Sequence, residues 1–241
     1  MVEFVEKGTY PPAWHHSAIP KEERERMEKK FNICKGALIK SIVEVAGEEK
    51  NADVLWDESV EARPGGQFVW TMVQWMKDYV QTVERDPNAI HRDDLVICAS
   101  LSLGNLARRG KLDGWNVLSS SDCFDSEKVS TALVSSPLSL APILSSRHFF
   151  SPGADVKLKH GILGVLKHIS QSASLSPIIP CTLAEASIVQ RINESMIWDE
   201  GVDNMAIVVQ LNAIGVVKHL CSADGRSSYL LFLAQVNPLS S

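Results

Sequence analysis

Apolar residues recur along this chain at helical rather than strand spacing. The stretch 21–47 begins highly charged and then places Leu38, Ile42 and Val45 on one face before Gly47 ends it. The acidic, turn-rich segment "NADVLWDESVEARPGG" reads as a surface loop, broken by Pro64-Gly65-Gly66. Next, "QFVWTMVQWMKDYV" carries Phe68, Met72, Trp75, Met76 and Tyr79 on one face and Val69, Val73 and Val80 on another. A helix apolar on two sides is expected to lie between neighbours. The helix from Leu95 turns Ala99, Leu103 and Leu106 toward a core. In "SSPLSLAPIL", Ser136 is positioned to cap a helix with Pro137 at its first position, and Pro142 shortens or kinks that helix. The segments "SIVQRINESMIW" and "NMAIVVQLNAIGVVKHLC" predict a helical pair. The second has one stripe of Met205, Val208, Val209, Ala213, Val216, Val217 and Leu220. Strand-type alternation is nowhere sustained, so the chain is predicted to be all-α.

One helix is spelled repeatedly. When Leu106, Ile169 and Leu220 are aligned, Ala99/Ile162/Ala213 and Leu103/Leu166/Val217 coincide as well, and Leu38/Ile42/Val45 supply an earlier copy. The recurring positions Val45, Leu106, Ile169 and Leu220 are 61, 63 and 51 residues apart, more than the roughly 40–47 of armadillo and HEAT units. The excess falls in loops: without the polar insert 111–128, the Leu106-to-Ile169 spacing shrinks to about 45. A helix with one apolar face buries it by stacking on its neighbours. The expected architecture is therefore an armadillo/HEAT-like right-handed helical solenoid with irregular inserted loops; an ordinary helical bundle with chance similarity is the competing arrangement. The expected divisions are a flexible charged leader at 1–26, a repeat domain at 27–221 with the insert 111–128, and an irregular tail at 222–241.

The ordered set "ICKGALIKSIVEVAGEE", "VICASLSLGNLARR", "KLKHGILGVLKHIS" and "VVQLNAIGVVKHLC" resembles the armadillo-repeat GDP-dissociation stimulators of small GTPases, particularly fungal members, over most of 27–110 and 129–221. That resemblance implies a non-enzymatic guanine-nucleotide exchange factor and chaperone for Rho- and Rap-type GTPases whose C-terminal tails are basic and often prenylated. The chain departs from the family pattern in two places. "GKLDGWNVLSSSDCFDSEK" comes after "LGNLARR", and "SADGRSSYLLFLAQVNPLSS" comes after "KHLC" where further repeats are expected. Gly110-Lys111-Leu112 is encodable by GGTAAGTTA, which contains a splice-donor-like GTAAGT, and 227–235 by a pyrimidine tract ending in CAG. Two explanations stand side by side: read-through introns in a truncated piece of a longer solenoid, or two surface loops.

Composition and charge narrow the remaining classes. A chain of 241 residues that is 45% hydrophobic can bury a sizeable core. No run of about 20 uninterrupted apolar residues and no signal-type N-terminus is present, which predicts a soluble, cytoplasmic protein without direct membrane insertion. The five cysteines are odd in number and widely spaced, a pattern without a disulfide or zinc framework. A net charge of −5 argues against nucleic acid as the main partner and suits a basic protein segment.

Catalytic chemistry is not legible, and neither an enzyme nor a cofactor is expected. The stretch from Gly104 has the wrong glycine spacing for a phosphate loop, and Leu112 stands where Ser or Thr is needed. There is no G-x-S-x-G or H-E-x-x-H, the His15-His16 pair has no further ligand nearby in sequence, and Cys98 reads as packing. No metal site is expected. The remaining candidate is surface. With Ile162, Leu166 and Ile169 facing inward, Lys167 and His168 lie on the opposite face, as do Lys218 and His219 in the later copy and Asn105 and Arg108 in the earlier one. These six are the expected contacts along a ridge, and Asp57, Glu58 and Glu61 of "WDESVE" are expected to meet a basic GTPase tail. A solvated polar face and an ordinary hydrophilic loop are the competing explanations. An armadillo adaptor or peptide-binding scaffold without effect on nucleotide is the alternative function.

Overall fold

A computed structural model describes residues 1–7, 19–57, 59, 63–86, 91–108, 125–195, 197 and 204–222. Among these residues the chain is all-helical, without a strand. The helices are α1 (Val2–Lys7), α2 (Lys21–Gly47), α3 (Ala52–Leu55), α4 (Gly66–Arg85), α5 (Asp93–Ala107), α6 (Ser126–Ala132), α7 (Ala141–Leu144), α8 (Val156–Ser170), α9 (Ile178–Glu185), α10 (Ile188–Glu194) and α11 (Asn204–Ser222).

Local chemistry sets several boundaries. The turn before α4 needs left-handed backbone at Gly65 (φ 76°) and Gly66 (φ 80°), and a Cβ on Gly66 would lie 2.8 Å from that of Asp57. Asp125 caps α6 by accepting from the backbone N–H groups of Glu127 and Lys128, and Asp155 caps α8 by accepting from that of Lys157 at 2.7 Å. Asp93 and Asp94 occupy the first turn of α5, where the helix dipole favours negative charge. Asp94 is also paired with Lys35 of α2 at 2.9 Å and with Arg92. These cations, with their hydrogen bonds, outweigh burial and hold its carboxyl below the usual carboxylate range.

The four recurring helices are α2, α5, α8 and α11, and α5 packs on α2, α8 on α5 and α11 on α8. Their contacts advance in the same direction, so each pair is parallel. From α2 to α5, Lys35 meets Asp94, the Cys98 thiol faces the Ile39 carbonyl, Asn105 reaches the Val43 carbonyl and Arg108 the Gly47 carbonyl. Between α5 and α8 the backbones close on glycine. A Cβ on Gly161 would overlap the Ser100 hydroxyl, and one on Gly104 would lie 3.3 Å from Val165 Cα. Between α8 and α11, Lys167 bonds Asn212 and its stem fills the space beside Gly215.

The core runs along this row. Leu103, Leu106, Ile162, Leu166, Ile169, Val209, Ala213, Val216 and Leu220 are buried. α4 is enclosed as its two-faced pattern predicts, with Met72, Trp75, Met76 and Tyr79 buried on one side and Val69, Val73 and Val80 on the other. Cys98 is fully buried, which pushes its thiol pKa up to about 12, so this cysteine packs rather than reacts.

Several elements differ from the sequence reading. Residues 21–26, assigned to a leader, already belong to α2, and residues 2–7 form α1. Val5 is buried, Phe4 packs on Phe31 at 5.4 Å between ring centroids, and Arg92 donates to the Val5 and Glu6 carbonyls at 2.9 and 3.2 Å. Ser136 and Pro137 lie in a turn with a cis peptide bond between them, and Pro142 sits in the first turn of the short α7, where its missing N–H costs no helical bond. α10 packs on α9. In α11, Val217 is only half-buried, and Met205 and Val208 of its apolar stripe are exposed, because the helix is covered along one side by α8. α11, with 19 residues and a mean hydropathy of 1.5, is long and apolar enough to cross a membrane by length and composition, as core helices of soluble proteins also are.

Candidate protein-binding surface

An open groove of about 680 Å³ lies between the turn leading into α4 and the start of α6. Trp56, Pro64 and Gly65 line one side, and Asp125, Glu127, Lys128, Thr131 and Ala132 the other, with Ser135 and Ser136 at one end. Asp57 adjoins it: its backbone N–H donates to the Gly65 carbonyl at 3.3 Å. Its carboxylate accepts from the Ser59 N–H at 2.8 Å, and hydrogen bonds from Ser59 hold its pKa below the ordinary aspartate value. The groove thus carries two carboxylates, Asp125 and Glu127, and one ammonium, Lys128, with Asp57 adjoining it and Trp56 on its wall, and net negative charge beside an aromatic side chain suits a lysine or arginine. Of the three acidic residues expected to meet a basic tail, Asp57 is exposed beside the groove, and Glu58 and Glu61 lie outside the described residues. Asp125 and Glu127, about 70 positions farther along the chain, are not among the acidic residues the sequence reading selects; an N-cap aspartate before an apolar stretch is the signal that places them at a helix start.

The six ridge residues do line the four-helix row, but several face a neighbouring helix. Asn105 is half-buried and donates to the Val43 carbonyl at 3.1 Å, and a Cβ on Gly47 would lie 3.1 Å from its amide nitrogen. Lys167 is half-buried and donates to the Asn212 side chain at 3.1 Å. His168 is half-buried against Gly104 and Gln171. Burial, with help from the positive Lys167 and Arg108, depresses its pKa despite the Gln171 hydrogen bond. His219 is half-buried, whereas Arg108 and Lys218 are exposed. Asn105 and Lys167 share a logic: a glycine on one helix opens space for a polar side chain from its neighbour, which then bonds an acceptor on the glycine's own helix, whereas His168 packs over Gly104 and bonds Gln171 at the end of its own helix. These side chains join neighbouring helices, and the face they leave to solvent is correspondingly smaller.

A second polar cluster joins α4 to the segment preceding α8. The Tyr79 hydroxyl donates to Asp93 Oδ1 at 2.7 Å and lies 3.1 Å from His148 Nε2, with the His91 ring edge-on to both rings. Burial and the nearby Asp93 carboxylate raise the Tyr79 pKa, so the phenol stays protonated; burial and His91 lower that of His148. The separation of 69 positions between Tyr79 and His148 hides this contact from any sequence motif. Among the described residues no group of three His, Cys, Asp or Glu side chains is placed to hold a metal ion. No family model, curated protein or solved structure matches the chain.

Proposed function

We propose that the chain is a right-handed armadillo-like solenoid that binds a small GTPase of the Rho or Rap type and favours its GDP-released state. The observation that carries this reading is the row α2, α5, α8, α11: parallel helices with the same apolar register, each packed on the next. Helical repeats stacked in one direction form extended surfaces that suit partner binding. The groove beside Trp56, with Asp125 and Glu127 on its wall, is the proposed seat of the basic tail, and the resemblance in the four repeated segments supports the class of partner. Binding drives nucleotide release only through differential affinity, so the solenoid must grip the GDP-free GTPase more tightly than the GDP-bound one.

The adaptor reading has one observation in its favour. Asn105 and Lys167 are engaged between helices, which leaves the groove as the more open polar surface, and a groove that takes a basic peptide needs no contact with a nucleotide-binding body. Surface plasmon resonance against a GTPase with and without its basic tail tests groove binding. Tail-dependent, salt-sensitive binding supports it, and equal binding by both forms removes the groove from the account.

A further inference from the structure

We propose that the seat beneath α1 is a receptor for the C-terminal turn of a helix, and that α1 fills it as a tethered occupant which a helix of another protein displaces. The recognition elements lie outside α1 and hold one another in place. Asp94 pairs bidentately with Arg92, accepting from Nε at 2.9 Å and from Nη2 at 3.1 Å, and is itself fixed by Lys35 of α2 at 2.9 Å. The guanidinium is thereby held with its outer edge toward α1, where Nη2 and Nη1 donate to the Val5 and Glu6 carbonyls at 2.9 and 3.2 Å. These are carbonyls that the end of a helix leaves without an intrahelical partner, and they lie at the negative end of its dipole. The Trp75 indole N–H donates to the Glu6 carboxylate at 3.0 Å, and Val5 is fully buried. The class of ligand follows from these contacts: a helix whose last turn carries a branched aliphatic residue followed by an acid.

Two observations point beyond α1 to an external helix. First, α1 is held lightly. Its six residues are too few to stay helical alone, Val5 is its one buried residue, and Phe4 is 46% exposed. Arg92 bonds main-chain carbonyls, which any helix end offers, so selectivity rests on the valine and the glutamate alone. Second, the seat is larger than α1. A cavity of about 190 Å³ adjoins Glu6, bordered by Trp75, Tyr79, Arg92 and Leu95. A helix end with bulkier side chains gains contacts there that α1 does not make, which offsets the advantage α1 has from being tethered.

Val5→Asp in the full chain sets a carboxylate in a dry site and so releases α1 from the seat. A labelled peptide of about 18 residues, long enough to be helical by itself and ending in the sequence of residues 1–7, is titrated against each protein by fluorescence anisotropy. Val5→Asp should bind it at least about tenfold more tightly than the parent, whose own α1 competes, and Arg92→Gln added to Val5→Asp should cancel the gain. The peptide carrying its own Val5→Asp change should not bind. Circular dichroism checks that the proteins stay helical; Glu6→Lys and Trp75→Phe replace Val5→Asp and Arg92→Gln if they do not. Equal binding by the parent and Val5→Asp, binding by neither, or binding indifferent to Arg92 overturns the proposal. So does a parent dimer in sedimentation velocity that Val5→Asp abolishes, which would give the seat to α1 of a second copy.

Discussion

Leu166→Ala and Val217→Ala truncate equivalent positions of two repeated helices, yet they should differ in cost. Leu166 is fully buried in α8, which has α5 on one side and α11 on the other. Truncation removes three buried carbons, about 2.4 kcal/mol at roughly 0.8 kcal/mol each. Incomplete collapse of the space left behind adds about 1 kcal/mol, for a residual cavity of about 40 Å³ at about 24 cal/mol per Å³. The expected loss is about 3–4 kcal/mol. Val217 is half-buried, and its two methyl groups at half that transfer value give about 0.8 kcal/mol. Urea denaturation followed by helical circular dichroism reads both. With a slope of about 2 kcal/mol per molar, Leu166→Ala should lower the midpoint by about 1.5–2 M and Val217→Ala by about 0.4 M. A Leu166→Ala cost below about 0.5 kcal/mol, the surface range, would refute the packing register.

Three further outcomes are expected from the geometry. Gly161→Ala drives a methyl into the Ser100 hydroxyl and should cost about 1–3 kcal/mol in a thermal melt, part of it recovered by Ser100→Ala; equal melting of Gly161→Ala and the parent would contradict the close approach of α5 and α8. Burial is the leading cause that lowers the pKa values of His148, His160 and His168, so the unfolded chain binds their protons first as pH falls. Their stability contribution is therefore complete above about 6.5 and is lost as pH drops through the lower folded values. Melting temperatures should fall between pH 7 and 5, less steeply in His148→Asn and His168→Gln. Asp57→Lys with Glu127→Lys should slow association with a basic-tailed GTPase more than it speeds dissociation, and flatten its salt dependence in a surface plasmon resonance titration.

The ends of α2, α5, α8 and α11 were legible because each carries an apolar stripe long enough to show a helical period. The features that escaped have identifiable causes. Six residues are too few to display a period, so α1 and its buried Val5 gave no signal, and its anchors Arg92 and Trp75 lie far away in sequence. Asn105 and Lys167 sit opposite the apolar stripe, where a polar residue that faces water and one that bonds the adjacent helix look the same in one dimension. Val217 has the pattern of Leu166 but lacks a helix on its other side. The groove is assembled from residues near 56, 64 and 130, each ordinary in its own segment.

Release of labelled GDP from Rho- and Rap-type GTPases, with the parent chain and with Asp57→Lys/Glu127→Lys, tests the functional proposal most directly. The account predicts faster release with the parent protein and a loss of that acceleration in the variant. Release at the intrinsic rate despite measurable binding would contradict exchange and leave a peptide-binding scaffold, and absence of both binding and release would remove the GTPase as partner.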